Sequence, residues 1–421
     1  MPDSPDLPLS PYRVLDLTEG GYNLGAKILA DLGADVIRIE RPFGSETRCQ
    51  GPFYQGRVHP EASLFWFAFN LNKRGITLNL ETEDGKAIFR RLASTADIVI
   101  ESLGPHRMEH LGLAYESLHR EHPSLIHATI TPFGHDGPYA HFQSTDLILW
   151  AMSGLQYASG DPDRPPVRIS VPMAEAVTGS HAASGAMHAL WYRVRTGEGQ
   201  QVDVSGQIAT ITTNMAVSAY ATAGTPIKRE GEFRDVGYTR MRVLYQCKDG
   251  YVAAFVMQGK WGAAFNGRIA KWMQDDCVND FADFDWSEWT PGVKHMKGQV
   301  EEAKAEIRMV EEPFAKFFLT KTKDEIFHRA LKDELMLAPV LTSADLYQWE
   351  QLDSREFWVP VEHPELEATL RYPGPFIKMS ETPVTFRRRA PLIGEHNHEI
   401  YVEELGYAPE ELVLWRATGT I

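Results

Sequence analysis

An α/β fold with a parallel sheet is what this 421-residue chain predicts. Three observations carry the prediction. Strand-like apolar segments alternate with helical segments from Tyr12 to about Ala221, and such alternation marks βαβ construction. The first unit, Tyr12 to Glu40, places glycines in the turn after its first strand, as nucleotide-binding folds do. A tight Lys248-Asp249-Gly250 turn between two apolar runs then opens a differently built region. A chain of this length is expected to form two domains.

Taken in order, Tyr12–Leu17 reads as a buried strand, followed by the glycine-bearing turn Thr18–Gly25. A helix over Ala26–Leu32 stops at Gly33, and Asp35–Glu40 is the second strand. The glycine spacing is not the dinucleotide fingerprint, so a parallel-sheet unit without ligand fits the bare pattern equally well. After the aromatic run Leu64–Phe69, Asn72-Lys73-Arg74 leads into an Ile76-Thr77-Leu78 strand. Thr82–Leu92 has helical periodicity, and Ala96–Glu101 and Leu125–Thr129 read as strands. A helix of small residues, Ser180–Arg195, closes at Thr196-Gly197. The strand Gly199–Ser205 and a helix over Gln207–Ala221 complete the alternation. Gly224–Arg242 is polar and charged and reads as the exit from the first domain. Val243–Cys247 and Tyr251–Val256 pair as a hairpin. Trp261, Trp272, Trp286 and Trp289 concentrate in the stretch that follows, with Phe265, Phe281 and Phe284. Core or oligomer interface is the expectation for them, ahead of an acyl-pocket wall. Lys294–Lys323 is charged and helical.

Composition narrows the function classes. A net charge of −15 opposes nonspecific nucleic-acid binding. No apolar run is long enough to span a membrane. Met1–Pro11 is Pro-rich and acidic and lacks the apolar core of a signal peptide. Cys49, Cys247 and Cys277 are widely spaced and make no metal or disulfide pattern, which suits a reducing cytoplasm.

A few residues stand out. Glu175 is a lone carboxylate between the extended Val171-Pro172 segment and the small-residue helix. Burial of its charge would be costly; as a bare residue it would sit in the first helical turn and complement the dipole. Arg38 and Arg41, at the second strand's end, have the fixed donor fork that suits a phosphate, or are surface arginines. Lys73 and Arg74, taken alone, read as a solvated turn. His135, in the loop Pro132–Tyr139, reads as an ordinary loop histidine and receives no role.

These segments in this order resemble the class III CoA-transferases, the family of formyl-CoA transferase and carnitine CoA-transferase. The segment Val171-Pro172-Met173-Ala174-Glu175-Ala176-Val177-Thr178-Gly179 is similar to the family's Val-Pro-hydrophobic-small-Asp-x-x-x-Gly. Asn72-Lys73-Arg74, Gly199-Gln200-Gln201-Val202-Asp203-Val204 and Pro391-Leu392-Ile393-Gly394-Glu395-His396 also match family patterns. The resemblance implies a Rossmann-like large domain built from both termini, a smaller middle domain, and two chains interlocked as linked rings. Residues 1–225 and 336–421 would form the large domain and 226–335 the small one. CoA or acyl-CoA is implied as substrate, without a metal. Arg38, Arg41, Lys73, Arg74 and Leu103 fall at CoA-binding positions, and Glu175 stands where the family carries its catalytic aspartate.

The departures shape the functional expectation. Ser102-Leu103-Gly104-Pro105-His106 replaces the family's Asn-Phe-Arg-Pro-Gly, and Gly231–Gly237 is charged where a mobile glycine-rich loop is usual. Glutamate at 175 moves the carboxylate by about 1.5 Å, while catalytic groups must hold to roughly 0.5 Å. The reading that follows is a catalytically impaired partner subunit, whose homologous sister chain supplies the aspartate. The subunits of succinyl-CoA:benzylsuccinate CoA-transferase are the similar case, with succinyl-CoA as donor and an aromatic acid as acceptor. An active CoA-transferase, a homodimer using Glu175 as nucleophile, is the alternative. An acyl-CoA racemase of the same fold ranks last, because Thr145 precedes Asp146 where that branch carries histidine.

Overall fold

The computed structural model describes residues 7–213, 216–256 and 259–421, and the side chains of Ala216, Lys260 and Trp261 lie outside the described residues. The chain divides into two compact units. The first holds the described residues up to Gln156, Arg168–Pro226 and Gln351–Ile421; the second holds Tyr157–Val167 and Ile227–Glu350. The return of the chain expected at residue 336 falls instead at Gln351. The physical reason is a strand, Leu337–Pro339, that hydrogen-bonds to the second unit's hairpin.

The first unit is built on six parallel strands: β1 (Arg13–Leu17), β2 (Asp35–Glu40), β3 (Lys73–Thr77), β4 (Ile98–Glu101), β5 (Ile126–Thr131) and β6 (Gln201–Ser205). Their order is β3-β2-β1-β4-β5-β6. Its helices include α1 (Asn23–Asp31), α2 (Leu64–Phe69), α3 (Glu83–Ala93), α4 (Arg107–His110), α5 (Tyr115–Glu121), α6 (Asp146–Met152), α7 (Ala174–Thr196) and α8 (Gly206–Thr212), with a C-terminal helix over Pro409–Thr418. A sheet covered on both faces needs apolar side chains at consecutive positions. Leu15, Ile37 and Val99 pack on one face against Ile88, Phe89 and Leu92 of α3 and against Ile400, Tyr401 and Trp415. Their neighbours Val14, Val36 and Ile98 pack on the other against Ala26 and Leu29 of α1 and Ala182, Ala183 and Ala186 of α7. The strand order reverses direction between β1 and β4, and the crevice beyond the carboxyl ends of those strands is where such sheets take ligands.

The C-terminal stretch closes the β3 edge. Asn397 Oδ1 accepts from Thr77 N at 2.9 Å, and Tyr401 Oη donates to Thr77 O at 2.8 Å. The helix expected over Gln207–Ala221 is seen as α8 and as Ala216–Ala223; Asn214 and Met215 lie outside the described residues.

In the second unit the charged 231–237 stretch is a short hairpin, not an open loop. β7 (Phe233–Asp235) pairs with β8 (Arg240–Arg242), and the guanidinium groups of Arg240 and Arg242 lie over the Phe233 ring at 4.6 and 5.0 Å. β9 (Leu244–Cys247), β10 (Gly250–Ala254) and β11 (Leu337–Pro339) form an antiparallel sheet. Trp272 and Trp289 are buried in this unit's core with Phe281, Phe314, Phe317 and Phe318, and Trp286 packs against them. The described tryptophans of this stretch therefore hold the unit together. Back in the first unit, β12 (Trp358–His363) and β13 (Ala368–Pro373) form a hairpin. Among the described residues no helix is long and apolar enough to cross a membrane.

Candidate active site

Small residues bring the site together. α1 and α7 cross in near backbone contact: a Cβ on Gly25 would lie 2.5 Å from Gly179 O, and one on Gly179 would lie 2.7 Å from Tyr22 O. Only hydrogen fits at both positions. The crossing sets the turn after β1 against the first turn of α7. Helix α7 begins at Ala174, earlier than its small-residue run indicated, so Glu175 lies inside its first turn. No side chain of its own N-terminal residue caps the helix; Asp146 Oδ1, from α6, accepts the Ala174 N–H at 2.7 Å.

Glu175 reaches into the glycine turn. Its Oε2 accepts the backbone N–H of Gly21 at 2.8 Å. A Cβ on Gly20 would stand 2.5 Å from that oxygen, and one on Gly21 would stand 2.9 Å from Glu175 Cβ. Gly20 also has φ +57°, a conformation that side chains seldom take. The two glycines thus leave open the notch that the Glu175 side chain occupies. Burial pushes the Glu175 carboxyl above its usual range, the Gly21 hydrogen bond opposes this, and the Asp146 charge adds to the rise. Tyr22 is pushed up by burial and by the same two carboxylates.

The floor of the crevice is a buried polar network. Arg38, fully buried, donates to Glu19 Oε1 at 2.9 Å, to Asp16 Oδ1 at 3.4 Å and to Thr18 O. Glu19 Oε2 in turn accepts from Thr47 Oγ1 at 2.7 Å, and Glu19 N donates to Ser102 Oγ at 2.8 Å. The altered strand end at Ser102 therefore ties β1 to β4 at the switch point.

The other residues expected at CoA are dispersed. Lys73 Nζ is fully buried and donates to Asp16 Oδ2 at 2.8 Å, Asn70 Oδ1 at 2.9 Å and Asn23 O at 3.2 Å. Burial brings its pKa down to about 8, against the pull of Asp16. Arg74, one residue on and so on the opposite face of β3, pairs with Asp35 and Glu399 at 2.6 Å each and with Glu404. Burial works against the Arg74 charge, but these carboxylates outweigh it and raise its pKa. The donors of Lys73 and Arg74 are thus engaged by the protein's own acids and amides. Arg41 is different: its side chain is 76% exposed, with a 3.3 Å pair to Glu46. Leu103 is half-buried against the core, and its N–H donates to Glu101 at 2.8 Å.

Sequence reasoning missed the roles of Gly20, Gly21 and Asp146. The glycine doublet is visible as a weak nucleotide-turn signal, but nothing local connects it to a glutamate 154 residues away.

A family model described as CoA-transferase family III matches residues 9–397. The chain is 33% identical to the succinyl-CoA:(R)-benzylsuccinate CoA-transferase subunit BbsE of Thauera aromatica, over 96% of this chain and 95% of that protein. It is 30% identical to the formyl-CoA:oxalate CoA-transferase of Streptomyces avermitilis, over 98% and 99%. A crystal structure of a CAIB/BAIF family protein from Brucella suis superposes with a TM-score of 0.78 at 27% identity, covering 94% of this chain and 99% of that one.

Proposed function

The chain belongs to CoA-transferase family III, enzymes that move CoA between an acyl-CoA and a carboxylic acid, and from that premise we propose that Glu175 is the group that carries the transfer. The single observation behind this is the Gly20-Gly21 notch. The sequence reading discounted Glu175 because a backbone shaped for aspartate would misplace it. The notch supplies the missing room, and Gly21 N–H anchors one carboxylate oxygen. Among the described residues Oε1 accepts no hydrogen bond, which leaves one oxygen for attack.

The chemistry follows in balanced steps. A Glu175 oxygen adds to the thioester carbonyl; the C–S bond breaks and CoA thiolate leaves, giving a mixed glutamyl anhydride. The thiolate attacks the Glu175 carbonyl carbon, expelling the donor's carboxylate and leaving a glutamyl-CoA thioester. The acceptor carboxylate displaces the thiolate to form a second anhydride. Thiolate attack on the acceptor's carbonyl then releases the new acyl-CoA and restores Glu175. When the Glu175 carbonyl is attacked, negative charge grows on Oε2 against Gly21 N–H, a donor already in place.

Succinyl-CoA as donor and an aromatic acid such as benzylsuccinate as acceptor are the substrates we favour, from the similarity to the Thauera subunit. That protein is a subunit by name, which favours a second reading: this chain works beside a homologous sister carrying aspartate, in an interlocked dimer. The deciding experiment mixes the purified chain with succinyl-CoA, traps with hydroxylamine or borohydride, and maps the adduct by mass spectrometry. Modification at Glu175, with activity lost in Glu175→Asp, is expected. No adduct, together with gain of activity in Glu175→Asp, would overturn the nucleophile assignment in favour of the partner-subunit reading.

A further inference from the structure

A second cluster of reactive side chains stands beyond the carboxyl ends of β4 and β5. His106 lies at the start of α4 and His135 in the loop after β5, and Glu109 joins them. Glu109 Oε2 is 2.8 Å from His106 Nδ1, and Oε1 is 2.9 Å from His135 Nε2. The ligand atoms of the three residues all lie within 4.8 Å of one another. The two rings approach to 4.9 Å between centroids. All three border a small cavity whose wall also includes Glu101, His127 and Thr129.

His127 is an independent observation at that cavity. It is 1% exposed, and neither ring nitrogen has a hydrogen-bond partner among the described residues. Buried polar groups are nearly always paired, so two empty nitrogens on one imidazole call for a missing partner. His106 Nε2 and His135 Nδ1 are also buried without partners among the described residues.

We propose that His106, Glu109 and His135 bind a divalent transition metal of the zinc class, with His127 beside it to hold a metal-bound water. Two imidazoles and one carboxylate suit zinc-class ions better than magnesium or calcium, which prefer all-oxygen shells. Three protein ligands leave one tetrahedral position for water. Metal–ligand bonds of about 2.0–2.1 Å put ligand atoms roughly 3.3 Å apart, so the His–Glu contacts would open slightly while wider pairs, within the 4.8 Å span of the set, would close. On binding, the imidazole–carboxylate hydrogen bonds are exchanged for coordinate bonds. The ion would clip α4 to the loop after β5. Such a site is independent of the role given to Glu175, and it departs from the metal-free expectation drawn from the sequence.

The test uses the full chain, stripped with a chelator and titrated with Zn2+ against a chromophoric competitor. Uptake of about one equivalent is expected, weakened about tenfold or more in His106→Ala and in His135→Ala. Cobalt(II) loading is expected to give visible d–d bands without a thiolate charge-transfer band, which separates this site from the exposed Cys49 and Cys277. Thermal stability is expected to rise with Zn2+ in the unaltered chain and not in the variants. Where a histidine variant fails to fold, Glu109→Gln takes its place. Failure of the unaltered chain to bind, or unchanged affinity in the variants, would show a water-filled polar cluster and overturn the proposal.

Discussion

Gly21 donates its backbone N–H to Glu175 Oε2 at 2.8 Å, so a turn after the first strand holds the carboxylate of a helix far along the chain. The notch around that bond is testable by filling it. In Gly20→Ala the new methyl would stand 2.5 Å from Oε2, on a backbone with φ +57°. Strain there costs on the order of 1–3 kcal/mol, which denaturant unfolding reads directly. A misplacement near 1 Å is expected to cut kcat by about 100-fold with KM little changed. An unaltered kcat would remove the notch from catalysis.

Asp146 sits near enough to Glu175 to oppose its ionisation while capping the helix that carries it. An asparagine side chain in its place would keep the oxygen that accepts the Ala174 N–H but lose the charge. Burial, the larger cause of the raised Glu175 pKa, stays. In Asp146→Asn the Glu175 pKa is expected to fall partway toward its ordinary value, so the acid limb of the kcat–pH profile moves to lower pH. A limb that stays put, or moves up, contradicts the electrostatic role.

Lys73 and Arg41 are expected to separate stability from binding. Asp16 is fully buried; burial alone would raise its pKa, but Lys73 and Arg38 together hold it below the usual range. Lys73→Ala leaves that charge short of a partner and is expected to cost roughly 3–5 kcal/mol of stability. Arg41→Ala, on an exposed side chain, is expected to stay within about 0.5 kcal/mol in stability. If Arg41 meets a CoA phosphate, calorimetry will show CoA affinity falling about tenfold. Lost affinity in Lys73→Ala at full stability would return Lys73 to the CoA site.

Gly179 allows α7 to lie on α1. A Cβ there meets Tyr22 O at 2.7 Å and Gly25 N at 3.0 Å, both backbone atoms that cannot rotate aside. Gly179→Ala is expected to destabilise the chain by about 1–3 kcal/mol and to lower activity as the 20–22 turn shifts. Full activity in a destabilised variant would show that the crossing serves the fold alone.

Much of the architecture was legible in the amino-acid order. The strand Arg13–Leu17, the glycine turn and the strand Asp35–Glu40 declare themselves through local hydrophobicity and turn chemistry, and the family pattern runs almost end to end. Residue 175 was recognisable for the same reason: its identity and its Val-Pro and glycine surroundings are contiguous. The hairpin at 233–242 was not, because its charged residues read as solvent-facing while Arg240 and Arg242 in fact lie over an aromatic ring.

The sequence by itself determined the order of strands and helices and put a carboxylate at the start of a close-packing helix, because those properties depend on neighbours a few residues away. Tertiary structure alone decided where the charges go. Lys73 and Arg74 are adjacent, yet strand alternation sends one to Asp16 and the other to Asp35, Glu399 and Glu404. Likewise, a glutamate is either too long or the right length according to the depth of the notch facing it. That depth is set by two glycines and a helix crossing that no local stretch of sequence contains.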